Sequence, residues 1–142
     1  MLLERKSNQK SFSLLDSDYM PPDLQLLKRL QVLIERNFRE NRDIRVYPPK
    51  LNSTLRYLNI VARAYLGKSV YELLQDRIHQ EALYLLRFTT LSIKQISIEL
   101  GCSDTPYFCR CFKQITGMNP VAYRKLRGKE PILSMMESRR VV

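Results

Sequence analysis

A single histidine, no tryptophan and only four glycines stand in this chain of 142 residues. One imidazole leaves little for acid–base chemistry or metal ligation. No carboxylates cluster in a motif, and the scattered glycines build no phosphate-cradling loop, so no enzymatic activity, metal or cofactor is expected. A run of eighteen apolar residues, the minimum for a membrane-spanning helix, does not occur. The opening stretch MLLERKSNQK lacks the apolar core of a signal peptide. Three cysteines are an odd number for a chain without an export signal, and they are expected to stay reduced in the cytoplasm. The length suits one domain.

Positive charge is present in excess. Lysine and arginine total 24 against 14 acidic residues, a net charge of +10. Between Ile44 and Gly128 stand 13 basic and 5 acidic residues, so +8 of that charge falls in one stretch. Charge alone does not separate a polyanion-binding face from a solvated basic surface, but concentrated positive charge favours a polyanion, because neutralising phosphates supplies most non-specific affinity.

The most informative stretch is Leu91–Arg124. Ser92 followed three residues later by Gln95 has the pattern of a capping box, and Ile93, Ile96 and Leu100 mark one helical face. Gly101 stops that helix. Asp104 caps the next, with Pro106 in its first turn. Phe108, Cys111, Phe112 and Ile115 are its expected buried stripe, while Thr105, Cys109, Arg110 and Lys113 point the other way. Tyr107, Phe108 and Phe112 read as core rather than as stacking platforms. Gly117 ends the helix and Asn119-Pro120 opens the last one, over Val121–Arg127. A helix, a glycine turn and a second helix with a polar, basic outer face make a helix-turn-helix.

The pattern occurs twice, fifty positions apart. Thr54 corresponds to Asp104, Tyr57 to Tyr107, Leu58 to Phe108, Val61 to Cys111, Ala62 to Phe112 and Tyr65 to Ile115. Arg63 falls on Lys113, Gly67 on Gly117, and Ser69 on Asn119. Caps, core stripe, terminator and basic position all repeat, so a tandem pair of DNA-reading helices is expected. The first spans about Leu55–Tyr65, with Leu58, Val61, Ala62 and Tyr65 inward and Arg56, Asn59, Ile60 and Arg63 outward. Ser69 and Glu72 make a second capping box that starts a helix to about Leu86. That strut, about 27 Å at ~1.5 Å per residue, suits two reading helices near the ~34 Å between successive major-groove faces. Asp23 is the expected cap of an earlier helix running to about Glu40, with Leu24, Leu27, Leu30, Val32, Leu33 and Phe38 on its apolar face.

Leu91-Ser92-Ile93, Ile96, Gly101, Tyr107-Phe108, Arg110, Phe112-Lys113, Thr116-Gly117, Pro120 and Tyr123-Arg124 together resemble the signature of the AraC/XylS-type transcription regulators. The resemblance covers roughly residues 24–127. It implies an all-α fold of about seven helices, two helix-turn-helix units joined by a long connecting helix. Four positions, in three places, depart from the family pattern. Cys102 stands where a phenylalanine is usual. Ser97 replaces a buried alanine and brings a hydroxyl expected to bond the preceding turn. Pro48-Pro49 falls before the first reading helix, where proline is tolerated only in a first turn. The expected order there is a turn over Asn41–Pro49 and a short helix around Lys50–Asn52, so the first unit either starts late or is partly degenerate.

Side chains one turn apart on the outer face reach base edges. In the second unit these are Thr105, Pro106, Cys109 and Arg110, with Lys113 toward phosphate; the resemblance places base contacts at Thr105, Pro106 and Arg110. Arg110 is suited to guanine, since a guanidinium pairs bidentately with O6 and N7. In the first unit Arg56, Asn59 and Ile60 face the bases and Arg63 the phosphates. Asn59 suits adenine and Ile60 a thymine methyl. The helix start at Thr54 can hold phosphate through backbone N–H groups. Cys109 and Cys111 face opposite ways, which with His79 as sole company argues against zinc, while a redox-sensing Cys109 on the DNA face is a further reading.

The expected organisation is a polar tail or linker stub at 1–22, a tandem helix-turn-helix DNA-binding domain at 23–127 and a mobile tail at 128–142, the last with an alternative role as a docking peptide through Ile132–Met136. The expected partner is double-stranded DNA, bound by a cytoplasmic monomer with no membrane attachment. The resemblance adds an activator role and contact with RNA polymerase. Two other readings stay open: an accessory DNA-architecture or recombination factor, and a degenerate family member acting through protein–protein contacts. About 45 residues precede the tandem unit, too few for the effector domain common in the family. The chain therefore reads as a stand-alone binder controlled by its abundance or as the output end of a longer protein.

Overall fold

The computed structural model describes residues 19–127; the terminal segments, including Ile132–Met136, lie outside the described residues. Those described form seven α-helices, as the family resemblance implies, and no strand. The helices are α1 (Pro22–Asn37), α2 (Tyr47–Lys50), α3 (Leu55–Leu66), α4 (Val70–Phe88), α5 (Ile93–Glu99), α6 (Thr105–Thr116) and α7 (Pro120–Arg127). A 3-10 turn, Ile44–Val46, leads into α2.

Local chemistry sets the boundaries. The amide of Tyr57 donates to Thr54 Oγ1 at 3.1 Å and that of Tyr107 to Asp104 Oδ1 at 3.0 Å. Both capping boxes are complete: Ser69 with Glu72 opens α4, and Ser92 with Gln95 opens α5. Each bond satisfies a donor that would otherwise be orphaned at a helix start. Asn119 caps α7 through the amide of Ala122 at 2.8 Å.

Several expectations change. Asp23 does not cap α1; Pro21 precedes that helix, and Asp23 sits in its first turn, accepting a hydrogen bond from the Tyr57 hydroxyl of α3. Val32 is half exposed, because the apolar face of α1 narrows to Leu27, Leu30 and Ile34. Pro48 and Pro49 lie inside α2 rather than before it. They fall in its first turn, where the missing N–H groups have no helical partner to lose. The first unit is thus formed, with an opening helix of only 4 residues against 7 in the second. Ser97 donates forward, to the carbonyl of Cys102 at 2.5 Å, instead of back to the preceding turn. The fully buried hydroxyl thereby fastens the α5–α6 turn.

Helix α4 is the axis of the molecule, touching α1, α3, α5 and α7. Its Leu74, Ile78, Ala82, Leu85 and Leu86 join Leu30, Tyr47, Leu58, Ile96, Leu100, Phe108 and Phe112 in one continuous core. Fully burying each of these leucine, isoleucine and phenylalanine side chains contributes about 1.5–3 kcal/mol, so the two units share a hydrophobic foundation and do not hinge freely. Charge reinforces this packing. Buried Glu81 of α4 accepts from Arg39 at 2.5 Å and from Arg77 at 2.9 Å. Arg39 also pairs with Glu99 of α5 and Arg77 with Glu35 of α1. Arg42 donates to the carbonyl of Leu100 at 2.8 Å, closing the end of α5.

His79 packs its ring 5.5 Å from that of Phe112, and burial holds its pKa below the ordinary 6.5, partly offset by Asp76. The folded state therefore resists a proton that the unfolded chain accepts, and stability falls as pH drops through 6.5 and below. A melting-temperature comparison at pH 7.5 and 5.5 should show a smaller acid-induced loss for His79→Gln than for the parent chain. An equal loss would place the acid sensitivity elsewhere.

Candidate nucleic-acid interface

Helices α3 and α6 each run 12 residues. Each is capped through its third amide and ends on a left-handed glycine, Gly67 at φ +69° and Gly117 at φ +86°. With equal length and matching ends, a residue of α3 and the one fifty positions later occupy the same place on their helices. Leu58, Val61 and Ala62 are buried in α3, and Phe108 and Phe112 in α6. The other side chains of these helices are exposed or half-buried.

On α6 the structure exposes Pro106, Arg110 and Lys113. Thr105 and Cys109 are half-buried, with Cys109 packed against the core. Burial raises the Cys109 thiol pKa, which disfavours the thiolate a redox sensor needs. Tyr107, expected inside, is 51% exposed, and the Arg110 guanidinium lies 5.8 Å from its ring centroid. An arginine resting on an aromatic face is partly ordered before it meets a ligand. Ile115, expected in the buried stripe, is exposed, and Cys111 is only half-buried; two phenylalanines fill the space instead.

On α3 Arg56, Ile60 and Arg63 are exposed, as is the cap Thr54. Tyr65, expected inside, lies 45% exposed at the end of the helix. Asn59 is half-buried, and its Oδ1 accepts from the amide of Val70 at 2.9 Å. Reading adenine requires that oxygen as acceptor, whereas here it holds the start of α4 against α3. Spacing alone placed Asn59 on the outer face; the long connecting helix that claims it begins eleven residues later.

Sequence reasoning left Arg124 without a role although it sits in the motif Tyr123-Arg124. Its Nε donates to the carbonyl of Leu86 at 2.9 Å, and its guanidinium also reaches those of Leu85 and Thr89. These carbonyls lie at the C-terminal end of α4, where that of Leu85 also accepts from the amide and hydroxyl of Thr89 and where a cation complements the helix dipole. Arg124 thus ties α7 to the strut that carries both outward faces.

The family described as a helix-turn-helix domain matches residues 50–126. The chain belongs to the AraC-type family of helix-turn-helix transcription regulators. It is similar to the bifunctional transcriptional activator/DNA repair enzyme AdaA of Bacillus subtilis, 26% identical over 110 residues, which cover 77% of this chain and 52% of that protein. The F1 operon positive regulatory protein of Yersinia pestis is 37% identical over 71 residues, 50% of this chain and 24% of its own length. The chain thus spans about half or less of these curated relatives. Among solved structures, the C-terminal domain of AraT, a response regulator from Geobacillus stearothermophilus, superposes with a TM-score of 0.68 at 28% identity, over 75% of this chain and 89% of that one. An AraC-type regulator from Chromobacterium violaceum gives 0.69 at 23% identity over 76% and 96%, a likeness of fold.

Proposed function

We propose that this chain recognises a specific double-stranded DNA sequence by placing α3 and α6 in adjacent major grooves, and that it regulates transcription in doing so. The observation that carries this reading is the matched pair of reading helices, equal in length and capping, mounted on one core with basic outer faces. Helix α4, 19 residues or about 28 Å at ~1.5 Å per residue, supports a separation near one helical repeat of DNA. Arg56, Ile60, Pro106 and Arg110 face the bases; Thr105 and Cys109 lie at the margin of that surface. Arg63, Lys113 and the helix start at Thr54 face the phosphates. Residues 23–127 constitute the DNA-binding unit. The chain acts as a monomer, because its two units already supply what other helix-turn-helix proteins obtain from two subunits.

The relatives AdaA and the F1 operon protein carry activator or positive-regulator names, which supports an activating role and a contact with RNA polymerase. Selection of binding sites from random duplex DNA tests the central claim. The expected result is a consensus spanning two successive major grooves, with affinity falling steeply as salt rises. Binding that ignores sequence, or no binding at low salt, would refute it.

A further inference from the structure

The two outward faces carry the same kinds of residue in different places. Position for position, exposed Arg56 of α3 corresponds to exposed Pro106 of α6, and exposed Ile60 to exposed Arg110. Among the positions assigned to DNA contact, the more distal basic one, Arg63 and Lys113, repeats. The intervening pair is withdrawn from both faces: Asn59 holds Val70, and Cys109 packs on the core. Each helix therefore offers one arginine among its base-facing side chains, near the start of α3 but one turn further along α6.

We propose that the target site is two half-sites whose recognised guanines are out of step with the DNA helical repeat. This rests on the DNA-reading function given above. The basic position, caps and terminators coincide in the two helices, so the phosphates can seat both in the same pose. The guanidinium of α3 then meets its groove four residues, about 6 Å, away from where that of α6 does. At ~3.4 Å of rise per base pair, and with the helix axis inclined along the groove, this offset corresponds to about one to two base pairs. The two guanines lie one helical repeat, ~10–10.5 base pairs, plus or minus that offset apart. Ile60, at the place where α6 carries Arg110, contributes a thymine methyl contact beside the first guanine, and Pro106 contributes shape without a hydrogen bond.

The test exchanges the two faces. Arg56→Pro with Ile60→Arg gives α3 the pattern of α6; the new proline falls in the first helical turn, as Pro106 does, where it is tolerated. Sites are selected from random duplex DNA with the full parent chain and with this double variant. The parent should select two guanines whose spacing departs from the helical repeat by about one to two base pairs. The variant should move the guanine in the α3 half by that amount and convert the site into an in-step direct repeat. The reciprocal pair, Pro106→Arg with Arg110→Ile, should also yield an in-step repeat, and it decides the matter if thermal melting shows the first variant unfolded. Parent guanines already in step, or guanine positions unmoved in a folded exchange variant, would overturn the offset while leaving sequence-specific binding intact. Failure of the folded parent to select any sequence would overturn the DNA-reading function itself, and this proposal with it.

Discussion

Gly101→Ala is expected to destabilise the protein by about 2–5 kcal/mol, against about 1–2 kcal/mol for Gly67→Ala. Both glycines have left-handed backbone, φ +81° and +69°, which costs any other L-residue on the order of 1–2 kcal/mol. Their surroundings separate them. A Cβ at Gly67 would meet nothing within 4 Å, but one at Gly101 would lie 2.3 Å from the carbonyl oxygen of Arg39. That oxygen belongs to the loop after α1, which is held to the same turn by the Arg42–Leu100 hydrogen bonds and the Arg39–Glu99 ion pair. Moving it away strains contacts on both sides, and such overpacking costs typically 1–3 kcal/mol. Denaturant midpoints of the two variants measure the difference. Equal losses would mean that the loop shifts freely and that the two units are less firmly joined than the packing indicates.

Gly101 also marks how far the residues could be read before the fold was known. As a helix terminator it was legible from its place after Leu100, because a C-terminal glycine is a local requirement. Its second role depends on Arg39, which only the folded chain brings near. The same division holds elsewhere. The caps at Thr54, Ser69, Ser92, Asp104 and Asn119 are governed by neighbours three residues away, and all five form. The placements of Asn59, Tyr65, Tyr107 and Ile115 required knowing what packs beside α3 and α6. Helical periodicity assigns a side chain to a face but does not say how wide the buried part is. Here Phe108 and Phe112, with Tyr123 edge-on to Phe112 at 5.6 Å, occupy the interior, and the residues flanking them are left in solvent. Within the ion network around Glu81 only the i,i+4 pair with Arg77 was open to a local reading; Arg39 comes from the loop after α1, and Glu35 and Glu99 from α1 and α5.

On the outward face of α6, Arg110→Ala and Lys113→Ala should fail in different ways. In the proposed function the Arg110 guanidinium reads base edges, and its stacking on Tyr107 limits the conformational freedom it surrenders on binding. Removing a bidentate guanine contact costs about 1–3 kcal/mol of discrimination, so the variant should lose up to roughly a hundredfold in affinity for the selected site. It should relax base preference at one position and leave the rest of the consensus intact. Lys113, one turn further toward the end of the helix, carries a charge suited to phosphate. Its removal should weaken all sequences alike and reduce the slope of log affinity against log salt by about one. Tyr107→Ala, leaving Arg110 in place but unsupported, should fall between the two: the same base preferred, with lower affinity. Titrations of the selected duplex and single-base variants at several salt concentrations separate these outcomes. An Arg110→Ala consensus identical to that of the parent would remove Arg110 from the base-reading surface. The polar readout of α6 would then have to come from Thr105, which is half-buried at the start of the helix.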